Sequence, residues 1–434
     1  MSHVPSDPSR REFLCRSSAA AASAGVATAL TKSQAVAKDR SNETVRIGLV
    51  GAGGRGGGAV VDSLSINDNV VLTAIADFDE AKPARLVKNL QKRFESAVDV
   101  PESRQYTGLE GYKRILDDSD VDVVLFATPP GFRPQHILDA VEAGKHVFAE
   151  KPTCVDPAGY RICLQAHQMA ADNKTSIVTG TQYRRQTNYI EAVQRIHAGQ
   201  IGDVISATTR YCSRGIWFRA RPDGMSDTEH QIRNWMHFIW LSGDQIAEQA
   251  VHNIDLMNWL MQGPPVSAFG GGGRFTRPET SEMWDSMAVD YDYGDGRFVS
   301  FMCRQIPGAE TQNETIIYGS KGSAKIKGTN GGAFLYDDQG QEVWSMKGNI
   351  GAAYEQEHKD LVDAIRSDQP IVELAETANS SLIAVMGRMA AYSGKTVTWD
   401  FAVGESSLNL FPERIELDAP RDSSYAVPGV SPLV

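Results

Sequence analysis

The sequence predicts an α/β domain with a parallel sheet, followed by an α+β domain with a large open, mainly antiparallel sheet. Three observations support this fold class. Residues 45–58 read as a short apolar strand, a glycine-rich turn and the start of a helix. Apolar strand patterns then alternate with helical patterns to about residue 180, as in a right-handed parallel sheet. Beyond residue 181, longer strand patterns follow one another in the manner of an antiparallel sheet.

The glycine-rich turn predicts a dinucleotide site. The mostly apolar strand at residues 45–50 leads directly into GAGGRG at residues 51–56. Gly51 allows the tight turn, Gly53 lets the backbone approach a pyrophosphate, and Gly56 lets the following helix pack on the strand. The phosphates would lie at the N-terminus of that helix, where unpaired N–H groups and the helix dipole favour anions. The pattern alone is weak evidence, because most glycine-rich turns are only turns.

A second strand strengthens the dinucleotide interpretation. Residues 70–76 are apolar and lead into Asp77, which lies about 20 residues beyond Gly56, as expected for the carboxylate that binds the cofactor ribose. Asp77 would repel a 2′-phosphate, so the sequence favours NAD over NADP. NADP stays open as an alternative, because Arg55 and Lys82 could pair with a phosphate.

The rest of the first domain continues the alternation of strands and helices. Buried strands are predicted at residues 121–127, 145–149 and 176–179, with a helix at 136–143 that stops at Gly144. We place this Rossmann-type domain at residues 42–180.

The second domain has a different pattern. Strands are predicted at residues 204–211, 286–293, 297–305, 314–318 and 323–327, and helices near 246–261, 353–367 and 375–392. A loop-rich stretch covers residues 212–245. We place this domain at residues 181–417, and the Pro/Ser-rich residues 418–434 are expected to run along the surface as a tail.

Residues 1–37 predict an export signal. The sequence SRREFL at residues 9–14 resembles the twin-arginine motif, an alanine-rich stretch covers 17–30, and Ala-Val-Ala at 35–37 offers a cleavage site. The stretch is too short and too weakly apolar for a stable membrane span. We therefore expect a protein that uses the twin-arginine export machinery and is soluble, in the periplasm or otherwise exported. A disordered tail with a chance arginine pair is the alternative.

Composition narrows the class of protein. Removing the signal leaves roughly 400 residues, a length typical of two domains. Asp and Glu number 54 against 43 Lys and Arg, for a net charge of −11, which argues against nucleic acid as a partner. The spacing of Cys154, Cys163, Cys212 and Cys303 fits neither a zinc site nor a redox pair.

Glu150, Lys151 and Pro152 directly follow the strand at residues 145–149. They would lie at the carboxyl end of a parallel strand, which is the edge where open α/β sheets bind ligands. The alternative is a surface lysine in a loop before a proline. The preceding strand and its AGKHV lead-in favour a functional role for Lys151.

Together with the glycine turn, AGKHVFAEKP at residues 143–152 resembles the Gfo/Idh/MocA family of sugar oxidoreductases. The likeness is to its glucose-fructose oxidoreductase-like, exported branch, and it covers nearly the whole mature chain. Pro130 departs from the family's Thr-Pro-Asn stretch. The resemblance implies a nicotinamide cofactor facing Lys151. Together with the motifs above, it gives as cofactor-binding candidates Gly51, Gly53, Arg55, Gly56, Asp77, Thr128, Pro129, His136, Glu150 and Lys151.

The helix predicted near residues 246–261 carries a polar stripe. At 100° per residue, Glu248, His252, Asp255 and Trp259 share one face, while apolar residues cover another. A polar stripe on a helix suited to the core suggests the wall of a cleft. In the family, a carboxylate four residues before a histidine marks the active site, although aspartate is more common than the glutamate found here.

The resemblance therefore implies Lys151, His252 and Glu248 as catalytic residues, with Glu248 orienting His252. A hydrogen-bonded structural histidine is the alternative. A metal site built from Glu248, His252 and Asp255, with His230 or His237 nearby in sequence, is rejected. The chain lacks HExxH and cysteine pairs, and hydride transfer requires no metal.

The predicted function is oxidation of a secondary hydroxyl of a sugar or glycoside by hydride transfer to the nicotinamide cofactor. The cofactor should be tightly bound, because an exported enzyme has no free pool to exchange with. Sugars stack on aromatic faces and hydrogen-bond to planar polar groups. The candidate substrate contacts are Tyr183, Arg184, Asn234, Trp235, Trp240 and His252.

Three alternatives stay open. An NAD-dependent glycosidase or lyase would act by transient oxidation, elimination and re-reduction. Oxidation of one sugar could instead be coupled to reduction of another. A non-catalytic, dinucleotide-dependent sugar-binding protein is the third. The family resemblance also implies a homodimer or homotetramer formed through the exposed face of the second sheet.

Overall fold

Two sheets organise residues 42–434, which are the residues described by this computed structural model. The export signal predicted at residues 1–37 lies outside them. A six-stranded parallel sheet comes first, and a nine-stranded, mainly antiparallel sheet follows. This arrangement confirms the predicted fold class. No helix within residues 42–434 has the length and apolarity needed to cross a bilayer.

The first sheet has the strand order β3-β2-β1-β4-β5-β6. Its strands are β1 Val45–Val50, β2 Val70–Asp77, β3 Gln105–Thr107, β4 Val123–Phe126, β5 His146–Ala149 and β6 Ile177–Thr179. The helices of this region are α1 Gly54–Ile66, α2 Lys82–Gln91, α3 Gly111–Leu116, α4 Arg133–Glu142 and α5 Pro157–Asn173. The strand order reverses between β1 and β4, which is where such sheets open a crevice for ligands.

The second sheet has the order β14-β13-β12-β11-β7-β10-β9-β8-β15. Its strands are β7 Val204–Ser213, β8 Ser267–Gly273, β9 Ser286–Asp292, β10 Phe298–Gln305, β11 Gln312–Gly319, β12 Gly322–Lys327, β13 Ala333–Asp337, β14 Glu342–Met346 and β15 Val397–Thr398. Of these described strands, β7 and β10 are the parallel neighbours. Buried and exposed residues alternate along β9, so one face of the sheet is covered and the other open.

The remaining helices are α6 Thr187–His197, α7 Asp227–Arg233, α8 Ile239–Ser242, α9 Asp244–Glu248, α10 Val251–Met261, α11 Ile350–Ser367 and α12 Leu374–Ser393. The structure corrects the single helix predicted near residues 246–261. The helix is interrupted at Gln249 and Ala250, which separate α9 from α10. The loop-rich stretch at 212–245 holds two of these short helices, α7 and α8.

The two final long helices occupy different places. Helix α12 packs against β8 and β9 of the second sheet, whereas α11 packs against α1 and β6 of the first. Residues beyond α11 also extend the parallel sheet, because Ile177 N donates to Ile371 O at 2.7 Å and Glu373 N donates to Ile177 O at 3.1 Å. The C-terminal part of the chain therefore returns to the first sheet. The boundaries predicted at residues 42–180 and 181–417 do not anticipate that residues of the second range pair with the first sheet. In other respects these boundaries stay a prediction.

The glycine turn joins β1 to α1 by close backbone packing. Gly51 has a φ of +101°, a region that favours glycine. A Cβ on Gly56 would lie 1.9 Å from the Gly51 carbonyl oxygen, so the start of α1 sits directly on the turn. A Cβ on Gly53 would meet no atom within 4 Å. The turn is therefore packed on its protein side and open at Gly53.

The substitution Gly56→Ala should lower the free energy of unfolding by about 1–3 kcal/mol, because the added methyl group must displace the backbone of the turn. Urea unfolding followed by circular dichroism measures this change. Gly54→Ala is the matched control, since a Cβ there meets no atom within 4 Å. Equal stability of the two variants would show that the turn is not packed as described.

Candidate active site

Lys151, at the carboxyl end of β5, links the parallel sheet to helix α9. Its ammonium donates hydrogen bonds to the backbone oxygen of Glu248 and, at 3.1 Å, to Glu248 Oε1. The Lys151 side chain is 14% exposed and that of Glu248 is 9% exposed, so the pair lies largely out of solvent. The pair joins the loop after β5 to the end of α9. It places a cation at the sheet edge where ligands are expected.

A chain of hydrogen bonds supports the Glu248 carboxylate. Its second oxygen accepts from Gln249 Nε2 at 2.8 Å, and Gln249 Oε1 accepts from the Tyr211 hydroxyl at 3.0 Å. Tyr211 belongs to β7, so the chain runs from the second sheet to the lysine. Sequence reasoning missed both supporting residues, because nothing in the sequence pattern pairs a strand tyrosine with a glutamine at a helix break.

His252 occupies the first turn of α10, with its ring centroid 5.2 Å from that of Tyr183. No group within residues 42–434 hydrogen-bonds to its imidazole. Burial lowers the pKa of His252 well below its ordinary value, and the positive charge of Lys151 lowers it further. A neutral imidazole at neutral pH can accept a proton.

The expected contact between Glu248 and His252 is corrected by the structure. The Glu248 carboxylate binds Lys151 and Gln249 instead. The physical reason is the break between α9 and α10, which ends the helical repeat that would bring residues 248 and 252 onto one stripe. Glu248 therefore positions the lysine of the site and does not orient the histidine.

Asp255 and Trp259, the other members of the predicted stripe, connect α10 to neighbouring segments of the chain. The buried Asp255 carboxylate accepts from Arg184 Nε at 2.8 Å and Nη2 at 2.9 Å, and from Ser380 Oγ at 2.7 Å. The Arg184 guanidinium also lies over the Trp259 ring, 5.3 Å from its centroid. Arg184, a predicted substrate contact, is thus already held by a carboxylate.

A cavity at the carboxyl edge of the parallel sheet gathers most of the predicted cofactor-binding residues. It is lined by Gly51, Gly53, Asp77, Thr128, Pro129 and His136, together with Ile232, Arg233 and Trp235 from the second domain. The sequence analysis did not assign Ile232 and Arg233, because they lie in the stretch predicted as loop-rich. The cavity is therefore built by both domains.

Asp77 lies where the cofactor ribose is expected. Its Oδ2 accepts from Ala52 N at 2.7 Å, and its Oδ1 accepts from Asp79 N at 2.8 Å and Lys82 Nζ at 3.1 Å. The carboxylate thus ties the end of β2 to the glycine turn. Because Lys82 is bound to Asp77, its ammonium is not free to pair with a 2′-phosphate of the cofactor.

His136 forms a wall of the same cavity. Its ring centroid lies 4.0 Å from that of Tyr112, and its Nδ1 lies 3.4 Å from Thr128 Oγ1. Burial lowers the pKa of His136 to about 3, and the Arg133 charge contributes to the lowering. The imidazole therefore stays neutral and supports Thr128 without carrying charge.

The Arg55 guanidinium is already paired with carboxylates, which argues against a role in binding phosphate. Arg55 Nε lies 2.6 Å from Glu150 Oε1, its Nη2 donates to Asp62 at 3.0 Å, and the guanidinium lies 4.8 Å from the Tyr354 ring centroid. Burial opposes the charge of Arg55, but Glu150 and Asp62 raise its pKa above the ordinary value. Arg55 and Glu150 thus connect the glycine turn to the segment that carries Lys151.

The predicted aromatic and amide substrate contacts lie in three different places. Tyr183 is beside His252, with its hydroxyl accepting from Thr329 N at 2.8 Å. Trp235 lines the cofactor cavity. Asn234 and Trp240 are buried, and their side chains bond to Arg219 and Gln231 respectively. The structure does not bring Asn234 or Trp240 to the Lys151–His252 site, because packing and hydrogen bonding elsewhere already occupy them.

Comparison with known proteins identifies the class. Residues 45–179 match the family model described as "Oxidoreductase family, NAD-binding Rossmann fold", and residues 189–325 match the "GFO/IDH/MocA C-terminal domain". The chain belongs to the Gfo/Idh/MocA family of oxidoreductases. Its first domain is an NAD-binding Rossmann domain, which confirms the resemblance drawn from the glycine turn and the segment around Lys151.

Individual relatives share parts of the chain. It is 37% identical over 111 residues to a glycosyl hydrolase family 109 protein of Shewanella pealeana, covering 25% of this chain and 23% of that protein. It is 26% identical over 254 residues to an inositol 2-dehydrogenase of Acidothermus cellulolyticus, covering 58% and 63% of the two chains. In each case the match spans less than two thirds of the relative.

A solved structure shows the same fold. Scyllo-inositol dehydrogenase from Lactobacillus casei, with bound NAD(H) and scyllo-inositol, superposes with a TM-score of 0.63 at 19% identity. The superposition covers 82% of this chain and 99% of that one.

The pKa of His252 should rise in the Lys151→Met variant and still stay below its ordinary value, because the substitution removes a neighbouring positive charge but leaves the ring largely desolvated. Histidine-labelled NMR titration measures this pKa, with His252→Asn identifying the signal. Lys88→Met, which removes an exposed charge on α2, is the control and should change nothing. An unchanged His252 pKa in Lys151→Met would contradict the proximity of the two groups.

Proposed function

We propose that the protein oxidises a secondary hydroxyl of a sugar or glycoside and holds NAD tightly while doing so. One observation carries this proposal. At the carboxyl edge of the NAD-binding sheet, the ammonium of Lys151 is held by Glu248 close to the neutral imidazole of His252. A fixed cation can stabilise the developing alkoxide, and a proton acceptor can remove the hydroxyl proton, in the oxidation of an alcohol.

The residues would divide the chemistry between them. His252 would accept the hydroxyl proton at a ring nitrogen, and Lys151 would stabilise the alkoxide charge that develops on the substrate oxygen. NAD supplies the hydride acceptor when bound. Glu248 would keep the ammonium in place, because it holds Lys151 through both its backbone and its side-chain oxygens. Tyr183, packed beside His252, is the best-placed of the candidate sugar contacts.

The residues of the first domain support NAD over NADP. Asp77 presents a carboxylate at the end of β2, and its neighbour Lys82 is already bound to it. Arg55 is likewise held by Glu150 and Asp62. A 2′-phosphate would therefore meet a negative charge without a free cation from either basic residue.

Export and assembly belong to the same proposal. The SRREFL motif at residues 9–14 supports export by the twin-arginine pathway. An exported enzyme would have to keep its cofactor, which supports tight binding.

Exposed large apolar side chains on the second sheet support a homo-oligomer. These side chains are Ile205, Phe269, Phe298, Met302 and Tyr318.

A second candidate is redox-neutral cleavage of a glycoside by transient oxidation, elimination and re-reduction. The similarity to glycosyl hydrolase family 109 proteins favours it. The same Lys151 and His252 could serve its oxidation step. The two candidates differ in outcome, because only net oxidation accumulates reduced cofactor.

Purified protein, denatured and assayed for released dinucleotide, should yield NAD(H). The loaded protein should then reduce its cofactor with one of a panel of sugars, or cleave an aryl glycoside without net reduction. Lys151→Met and His252→Gln should each lower the rate by roughly 100- to 10,000-fold, since each removes a group that stabilises or transfers charge in the reaction. Lys88→Met is the matched control. Full activity in both site variants would overturn the proposal.

The substitution Asp77→Ser should improve NADPH binding relative to NADH on the order of tenfold, because it removes a like charge and frees Lys82. Fluorescence titration of both reduced cofactors gives the two dissociation constants. Asp68→Ser removes an exposed carboxylate and should leave their ratio unchanged. If the ratio in Asp77→Ser equals that of the parent protein, Asp77 does not select the cofactor.

A further inference from the structure

A strap of the second domain lies over the glycine turn. This strap, residues 214–225, connects β7 to α7. Two of its side chains, Trp217 and Arg219, line a groove whose opposite wall is formed by the glycine turn and the neighbouring helices α1 and α2. The residues of that wall include Gly53, Gly54, Gly57, Lys82 and Arg85. The strap thus approaches the helix N-terminus where the cofactor's phosphates are expected.

The backbone of the strap is anchored at defined points. Asn234 Oδ1 accepts from Arg219 N at 2.8 Å, and Asn234 Nδ2 donates to Arg219 O at 3.2 Å. His237 Nε2 lies within hydrogen-bond distance, 2.8 Å, of Trp217 O. Between these contacts, the Phe218 ring packs edge-on against His237 at 4.9 Å. The anchors hold the main chain in place, while the Trp217 side chain remains 42% exposed and faces the groove.

Arg219 brings an unneutralised charge to this groove. Arg55 in the turn and Lys82 at the start of α2 are each bound to carboxylates. Within residues 42–434, by contrast, no carboxylate pairs with Arg219. Its guanidinium lies 4.9 Å from the Trp217 ring centroid in a cation–π contact, and its Nη1 donates to Arg233 O at 3.4 Å. The remaining guanidinium donors suit a phosphate group.

The groove continues into the cavity of Asp77. Gly53, Lys82 and Trp235 line both, so one path runs past the open side of the turn. A dinucleotide with its ribose at Asp77 and its phosphates at the turn would follow this path. We propose that Arg219 and Trp217 bind the pyrophosphate side of the dinucleotide and retain it in the protein.

The inference rests on the proposed function and gives tight binding a physical cause. The Rossmann sheet offers one wall of the path, and the strap offers the second. The cofactor would then leave only after Arg219 and Trp217 move away from the turn. The hydrogen bonds of Asn234 and His237 fix the main chain of the strap, so both side chains are carried next to the turn. Retention is therefore a property of the second domain.

The test compares the release of NADH from the full chain. Protein loaded with NADH is mixed with a large excess of NAD⁺, and the loss of bound-NADH fluorescence gives the dissociation rate. Arg219→Ala and Trp217→Ala should each release NADH at least about tenfold faster, since each loses a direct contact. Arg219→Lys should recover part of the retention. Arg214→Ala, an exposed arginine of the strap outside the groove, is the matched control and should match the parent.

Salt separates a charge contact from a structural effect. Raising the ionic strength should speed NADH release from the parent protein and have much less effect on Arg219→Ala, because only the parent has the contact to be screened. Parent-like release from both Arg219→Ala and Trp217→Ala would overturn the inference while leaving the proposed function intact. A parent protein that binds no NADH would overturn both.

Discussion

The ion pair between Lys151 and Glu248 is the interaction on which the site depends. Burying two charges is costly unless their remaining hydrogen-bonding capacity is used, and here the Glu248 backbone and the Gln249 amide use it. The pair joins the edge of one sheet to a helix end that the other sheet supports through Tyr211. It also places a positive charge close enough to His252 to help keep the imidazole neutral. The Lys151–Glu248 pair therefore both joins the two parts of the site and helps to lower the pKa of His252.

A second ionic link lies behind the first. Arg55 on α1 and Glu150, next to Lys151, connect the turn that would cradle the phosphates to the segment that carries the lysine. Helix α11 encloses this link with Tyr354 and with the buried Glu357, whose pKa burial raises well above its ordinary value. The Arg55–Glu150 contact therefore joins the phosphate turn directly to the residue that precedes Lys151.

Local chemistry made the first sheet and the main site residues predictable. The glycine turn, Asp77, Lys151 and His252 are each marked by strand, turn or helix patterns that depend on near neighbours in sequence. The break between α9 and α10 was not predictable, because apolar residues continue across Gln249 and Ala250 with helical spacing. The packing of α11 on the first sheet was missed for a different reason. An amphipathic pattern shows that a helix has a buried face, but it does not name the surface that covers it.

The return of residues 371–373 to the edge of β6 has a consequence for biosynthesis. During translation, the six strands of the NAD-binding sheet leave the ribosome long before the segment that hydrogen-bonds to Ile177. Until that segment arrives, β6 presents an unpaired strand edge, which is a template for association with other chains. The first domain can begin to fold early, but its protection is completed only when nearly the whole polypeptide has been made. A prematurely terminated chain would therefore be a substrate for chaperones and proteases. The edge of β6 can be paired only in a chain that has been synthesised beyond residue 373.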